Sequence, residues 1–229
     1  MAKSRNDVAF IFSSGFSQYH FAKDHPFDSR RALLTKRLLE EAGALNSEQI
    51  HEPKQMDDSI VQKAHQKNYL AFVKEASRKG ADNMPERQDF GLGTEDTPIF
   101  KGMHESACLV AQATWDGLHQ VMGGQRDHCL NLSGGLHHAT VGRASGFCVY
   151  NDVNIAIADL VSRYDVKVMY IDTDAHHGDG VQWHFYDDPR VCTVSIHETG
   201  KFLFPGTGNV RERGHEKGYG FNFNIPIEP

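Results

Sequence analysis

The chain has 229 residues, of which 39% are hydrophobic and 24% charged, which is typical of a globular protein with one sizeable core. Its net charge of −6 and the lack of a basic stripe argue against nucleic-acid binding. The apolar run at residues 8–12 is too short for a signal peptide or a membrane span. The four cysteines form no CxxC motif, so we expect no sulfur-rich zinc site and a reducing, cytoplasmic location.

The first part of the chain alternates apolar runs with amphipathic stretches. Residues 8–12 are predicted to form a strand, and residues 28–43 and 59–76 to form helices. Residues 80–101 have no periodicity and are predicted to form a long exposed loop. The predicted buried side chains of the two helices are Leu34, Leu38, Leu39 and Ala42 in the first, and Val61, Ala64, Tyr69, Phe72, Val73 and Ala76 in the second.

The second part continues the alternation of strands and helices. The predicted helices are 104–122 and 151–163, and the predicted strands are 129–132, 166–171, 191–196 and 219–225. This order predicts an α/β fold with three layers, in which helices cover both faces of a mainly parallel sheet. We expect one domain over residues 1–229. Because no crossover helix follows the last strand, we expect this domain to be incomplete at its C-terminus.

The strongest chemical signal lies at residues 168–180, which read VMYIDTDAHHGDG. An apolar, presumed buried strand there delivers Asp172, Asp174 and His176, and catalytic groups of α/β sheets lie at the carboxyl ends of strands. The oxygen of Asp174 and a nitrogen of His176 can bind one zinc ion, which in catalytic sites usually has three protein ligands and an open position. The competing interpretation is a turn whose carboxylates only cap a helix.

The second signal is NLSGGLHHA at residues 131–139, where a short strand ends in glycines and adjacent histidines. A metal-bound water needs a base, and a neutral histidine such as His137 or His138 suits that task near pH 7. Taken alone, two adjacent histidines are more often polar surface. The pair gains weight from the carboxylate-rich turn at residues 172–179.

Three weaker signals are expected to concern substrate binding. Phe147 follows Gly146 in a loop, and Phe204 precedes Pro-Gly-x-Gly, so these two aromatic rings are candidates for facing walls of an apolar tunnel. Asp96, in the segment GLGTEDTP, is a candidate acceptor for backbone N–H groups of a peptide. Simple packing explains each of these three signals equally well.

Taken together, the segments NLSGGLHHA, ASGFCVYNDVNIAI, YIDTDAHHGDGV, VSIH, FPGTG and NIP resemble the histone deacetylase family of the arginase/deacetylase fold. The opening HPF segment before Arg30 and Arg31 is similar to the acetoin-utilisation branch of that family. The resemblance covers nearly the whole chain. It implies deacetylation of an acetylated protein or a small acetyl-amine, without nucleic acid or membrane as a partner.

The resemblance also implies a metal centre. Asp174 and His176 match two ligands of a zinc ion, for which iron(II) is the alternative. The family has a potassium ion close to the backbone of the same turn, from Asp172 to His176, and close to Ser195. The third zinc ligand, an Asp, and an oxyanion-donating Tyr would lie beyond Pro229, so we expect the fragment alone to be inactive or nearly so.

The remaining roles follow from the same resemblance. His138 matches the general base and His137 its partner near the leaving nitrogen. Asp172 and Asp179 match the carboxylates that hold His137 and His138, respectively. For the substrate, Gly146, Phe147 and Phe204 match the acyl-lysine channel, and Asp96 matches the carboxylate at its rim.

Three other functions stay open from the sequence. An arginase-like ureohydrolase needs a bridging carboxylate at position 178, which is Gly178 here, so one metal is favoured over two. An acetyl-polyamine amidohydrolase would use the same residues on a smaller substrate. A non-catalytic module that binds acetyl-lysine would need neither the metal nor turnover.

Overall fold

The computed structural model describes residues 7–80 and 84–229. They form two compact units, the first ending at Ala156 and the second running from Ile157 to Pro229. The segment before Asp7, for which no signal peptide is expected, and positions 81–83 of the predicted loop lie outside the described residues. The expectation of a single domain stays a prediction.

Unit 1 is built on a three-stranded sheet with the order β2-β1-β3. The strands are β1 (Val8–Ile11), β2 (Ile50–His51) and β3 (His128–Leu130), and both pairs are parallel. Parallel neighbours need crossover connections, which here are helical. The helices are α1 (Arg30–Glu41), α2 (Asp58–Val61), α3 (Lys67–Lys79) and α4 (Met103–Met122). This pairing confirms the predicted α/β class.

The helix predicted over residues 59–76 is wrong in one respect, because it is broken into α2 and α3. At the break Gln66 has extended backbone angles, and its N–H donates to Val141 O at 2.8 Å rather than within a helix. The break also turns His65 inward, where its Nε2 accepts from Asn151 N at 3.0 Å. The predicted inward residues, from Val61 to Ala76, are all buried.

Two predictions about exposure are also wrong. Leu34 and Leu38 of α1 are 61% and 66% exposed, while Ala32 is buried, because none of the described elements covers the leucine side of this helix. The loop at residues 84–101 is not wholly exposed, since Leu92 and Thr97 are fully buried. The apolar pattern of a single helix shows that it has an inner face, but tertiary packing decides which face that is.

Unit 2 contains a second parallel sheet with the order β4-β5-β6. Its strands are β4 (Val168–Asp172), β5 (Val191–Glu198) and β6 (Asn222–Ile227), preceded by α5 (Asp152–Arg163) and with α6 (Asp179–His184) between β4 and β5. Strand β4 is not the buried strand that was predicted, because Met169 and Ile171 are exposed and only Asp172 is buried.

The described residues contain no membrane helix and no disulfide bond. Within residues 7–80 and 84–229, no helix is long and apolar enough to cross a membrane. All four cysteines are free. Burial raises the pKa of the Cys108 thiol to about 12, so this side chain stays protonated and acts as a small apolar group.

Candidate active site

The two adjacent histidines predicted from the sequence lie in a buried turn of unit 1. The Nε2 atoms of His137 and His138 are 3.0 Å apart, and the ring centroids 4.0 Å. At that distance the two atoms can share one hydrogen bond, and which of them donates depends on the tautomers of the two rings. Imidazole nitrogens can take or give a proton in catalysis, so the pair is a candidate for acid–base chemistry.

Asn151 and Asp152, which sequence analysis did not assign a role, hold this turn in place. Asn151 Nδ2 donates to His137 O at 3.1 Å and to Ala139 O at 3.0 Å. The fully buried Asp152 carboxylate accepts from Gly135 N at 3.0 Å and Leu136 N at 2.7 Å. Burial raises the Asp152 pKa, whereas these N–H donors oppose that rise.

The glycine before the turn is required by Asp152. A Cβ at Gly134 would lie 2.5 Å from Asp152 Oδ2, closer than any side chain can approach. In the sequence, this contact is visible only as the Ser-Gly-Gly motif. A glycine indicates that another group lies close to the backbone, but the sequence does not show that this group is Asp152.

The predicted rim residues of unit 1 lie together beside the histidine pair. Asp96 Oδ2 accepts from Gly146 N at 2.8 Å. A Cβ at Gly146, whose φ is +53°, would lie 2.3 Å from His138 Cδ2, so the backbone of this loop lies directly against the His138 ring. Asp96 thus bonds to the loop next to the proposed base.

Phe147 has the left-handed backbone that most non-glycine residues avoid, with φ +71°. This conformation is held by Tyr19, whose hydroxyl donates to Phe147 O at 2.7 Å and accepts from Val149 N at 3.0 Å. The His25 ring packs edge-on against Phe147 with centroids 4.7 Å apart. Strained backbone of this kind clusters at functional sites, where surrounding contacts maintain it.

The predicted metal ligands lie in unit 2, in a turn that begins where β4 ends. Asp172 Oδ1 accepts from Asp174 N at 2.9 Å, and Asp174 Oδ1 accepts from His176 N at 2.8 Å. Each carboxylate therefore fixes the backbone two residues further on. The same Asp174 oxygen lies 3.0 Å from His176 Nδ1.

This oxygen and nitrogen fit two ligands of one metal ion. A tetrahedral ion with bonds of about 2.0–2.1 Å separates its ligand atoms by about 3.3 Å. The distance from Asp174 Oδ1 to His176 Nδ1 is close to that value, and an oxygen–nitrogen pair suits zinc or iron(II). Among the residues that the structure describes, no three His, Cys, Asp or Glu side chains form a metal-binding group. The two side chains have the spacing of two ligands out of the usual three.

Phe204 and Ser195 also lie near this turn. The half-exposed Phe204 ring is 6.3 Å from the His176 ring, and the peptide bond to Pro205 is cis. Ser195 pairs with Asp172 in the parallel register of β4 and β5, and its Oγ lies 2.8 Å from His197 Nδ1. Asp179 begins α6, so its side chain belongs to the first turn of that helix.

Each unit thus gathers its own share of the predicted site residues. The predicted site residues that lie together in unit 1 are His137, His138, Asp96, Gly146 and Phe147. Those that lie together in unit 2 are Asp172, Asp174, His176 and Phe204. Asp179 lies at the start of α6. The predicted bonds from Asp172 to His137 and from Asp179 to His138 join residues of different units and stay predictions.

Comparison with known proteins identifies a family to which this chain is similar. The model of the histone deacetylase domain matches residues 25–229. The acetoin utilization protein AcuC of Bacillus subtilis is 50% identical over 224 residues, which are 97% of this chain and 57% of that protein. AcuC of Staphylococcus xylosus is 42% identical over 229 residues, which are 100% of this chain and 59% of that protein.

A solved structure gives the fold. The crystal structure of an HDAC homolog from Aquifex aeolicus matches with a TM-score of 0.90 and 29% identity over 97% of this chain and 59% of that chain. A related structure is that of an HDAC homolog complexed with SAHA. These matches confirm the predicted arginase/deacetylase fold. The chain spans less than two thirds of the length of these relatives.

Proposed function

Because the chain belongs to the histone deacetylase family, we propose that the whole protein hydrolyses an acetyl-lysine amide at a metal-dependent site. The observation that supports this proposal is that one chain contains both a pair of adjacent histidines and a candidate pair of metal ligands. His137 and His138 place two buried ring nitrogens 3.0 Å apart, and Asp174 and His176 present an oxygen and a nitrogen 3.0 Å apart. Amide hydrolysis needs both a base and a metal-activated water.

The chain's own residues are given the following roles. His138 accepts the proton of the attacking water, and His137 shares that proton and delivers it to the leaving lysine nitrogen. Asp172 and Asp179 are proposed to orient His137 and His138, because a carboxylate bonded to an imidazole fixes its tautomer and raises its basicity. The Asn151 and Asp152 contacts support this by fixing the backbone that carries both rings.

Asp174 and His176 are proposed to hold zinc, with iron(II) as the alternative, together with a third ligand. The metal, when bound, polarises the substrate carbonyl and acidifies a water molecule. A potassium ion near the backbone of the 172–176 turn and Ser195 is proposed on the family resemblance alone. Such an ion, when bound, would add positive charge close to the ligands.

The substrate is proposed to enter beside Gly146, Phe147 and Phe204, whose apolar surfaces suit the methylene groups of an acetylated lysine. Asp96 would hold the substrate backbone at the rim, close to Gly146 N. Similarity to acetoin utilization proteins favours an acetylated protein of acetoin catabolism in the cytoplasm over a small acetyl-amine. The non-catalytic binding module is disfavoured because it would not need the histidine pair.

The test is a His138→Ala variant of the whole natural protein, with His128→Ala as the matched control because His128 is exposed on β3. Loss of a general base should lower kcat on an acetyl-lysine peptide by about 10²–10⁴-fold, while the control keeps wild-type activity. Normal deacetylation by His138→Ala would contradict the role of the pair.

Substrate and metal assays separate the alternatives. Turnover of acetylated polyamines but not of acetyl-lysine peptides would assign a small acetyl-amine instead. Hydrolysis of arginine with two manganese ions per chain would reverse the choice in favour of a ureohydrolase. Peptide binding without turnover and without metal would support the binding module.

A further inference from the structure

One face of the β4-β5-β6 sheet is polar and nevertheless buried. It is formed by Thr193, Ser195 and His197 of β5 and by Asn222 and Asn224 of β6, all of them buried. Buried polar groups are costly unless they are hydrogen-bonded. Here they bond to the loop at residues 207–212 and to α6. The polar face therefore holds the irregular loop at residues 207–212 in place by hydrogen bonds to its backbone groups.

Glu212 sets the direction of the bonds in this layer. Glu212 Oε2 accepts from Gly208 N and from Gln182 Nε2, the latter at 2.6 Å, which fixes the orientation of the Gln182 amide. Its other end, Oε1, then faces His177 Nε2 at 2.9 Å. Asn222 and Asn224 donate to the same Oε1 at 2.9 and 2.8 Å, which reinforces this orientation.

The tautomer of His177 follows from these bonds. Because Gln182 Oε1 can only accept, His177 Nε2 carries the proton. Its Nδ1 is therefore an acceptor, and it receives the hydroxyl of Thr207 at 2.8 Å. His177 is buried and follows the proposed ligand His176 directly in the chain. Its ring therefore joins the turn at residues 172–176, called the metal turn below, to the loop that follows Phe204.

Gly208 brings the loop against two imidazole rings. A Cβ at this position would lie 2.3 Å from His197 Nε2 and 2.8 Å from His177 Cγ, and its φ is +89°. Gly208 O accepts from His197 Nε2 at 3.1 Å, and Gly208 N donates to Glu212 Oε2 at 3.0 Å. The loop is thus bonded from both sides and has no room to shift toward the rings.

We propose that Thr207, Gln182 and Glu212 are positioning residues that act through His177 to fix the metal turn and the Phe204 loop as one body. The inference rests on the proposed metal role of Asp174 and His176. Without the Thr207 hydroxyl, His177 Nδ1 would lose its donor while remaining buried, and the turn carrying His176 would lose an anchor. Removing a supporting partner of a metal site typically costs about 10–100-fold in metal affinity.

The first experiment compares Thr207→Val with Thr207→Ser in the whole natural protein. Valine has the shape of threonine but no hydroxyl, whereas serine keeps the donor. We expect Thr207→Val to raise the zinc dissociation constant at least about tenfold and to lower kcat more than it raises KM. Thr207→Ser should restore both values, with circular dichroism showing that all three proteins are folded. Equal zinc affinity in the two variants would overturn the proposal.

The second experiment measures the wild-type protein and needs a variant only to assign one signal. In protein with ¹⁵N-labelled histidine, long-range proton–nitrogen correlations report which ring nitrogen carries the proton, and a His177→Gln protein assigns the signal. We expect His177 as the Nε2–H tautomer with and without zinc, and the Nδ1–H tautomer would overturn the proposal. If the wild-type protein binds neither zinc nor iron(II), the proposed function fails. If it binds zinc and the tautomer is wrong, only the present inference fails.

Discussion

A methyl group at position 146 should disable the histidine pair without removing any functional side chain. In Gly146→Ala the new Cβ would lie 2.3 Å from His138 Cδ2, 2.8 Å from Cγ and 3.0 Å from Cβ. An ordinary contact of about 3.4 Å requires the His138 ring to retreat by about 1 Å. That movement would alter the 3.0 Å distance between the two Nε2 atoms.

The magnitude follows from two separate costs. A displacement of about 1 Å in a catalytic group lowers the rate by about 100-fold, or roughly 2.7 kcal/mol in the activation free energy. Overpacking lowers the free energy of unfolding by about 1–3 kcal/mol, and the left-handed backbone, φ +53°, adds about 1 kcal/mol. We therefore expect a folded enzyme that has lost most of its kcat.

The assay uses the whole natural protein and measures kcat and KM on an acetyl-lysine peptide together with the free energy of unfolding in urea. Gly43→Ala is the matched control, because Gly43 has φ +67° but no atom within 4 Å of its would-be Cβ. The control should lose about 1 kcal/mol of stability and no activity. If Gly146→Ala behaves like Gly43→Ala, His138 does not need its observed position and the reasoning is refuted.

Two further predictions concern ionisable groups that lie partly or fully in the protein interior. In Asp152→Asn, an amide group would face the Gly135 and Leu136 N–H donors. We therefore expect the free energy of unfolding in urea to fall by about 1–3 kcal/mol and kcat to be lower. Unchanged stability would show that the carboxylate does not hold the turn. Burial lowers the His184 pKa from its ordinary 6.5 to about 4, so between these values the unfolded chain binds a proton that the folded chain does not. Stability should therefore fall as the pH drops from 6.5 to 4, by up to roughly 3 kcal/mol from this group. His184→Gln should remove that share of the pH dependence, and identical pH profiles of the two proteins would contradict it.

The sequence predicted best those features that depend on local order. The segment at residues 168–180 gave the strand, the turn and the proximity of Asp174 to His176, because all of these lie within a few residues. The parallel α/β arrangement followed from the alternation of strands and helices. The split of the 59–76 helix could not be predicted, because Gln66 N leaves the helix for Val141 O, 75 positions away along the chain.

The supporting residues were missed for the same reason. Asp152 bonds to backbone N–H groups at positions 135 and 136, and Glu212 bonds to Gln182, 30 residues away. A single carboxylate or amide has no periodic pattern, so nothing local distinguishes such a residue from an exposed one. Leu34 and Leu38 show the converse case, in which an apolar pattern exists but no described element packs against it.

The short Nε2–Nε2 contact between His137 and His138 has a consequence for how mutant data are interpreted. Two rings in direct contact do not act independently, so replacing either imidazole also changes the surroundings of the other. The effects of the two single substitutions should therefore not add up to the effect of the double substitution. A rate loss measured in one single mutant describes the pair and cannot be assigned to one histidine.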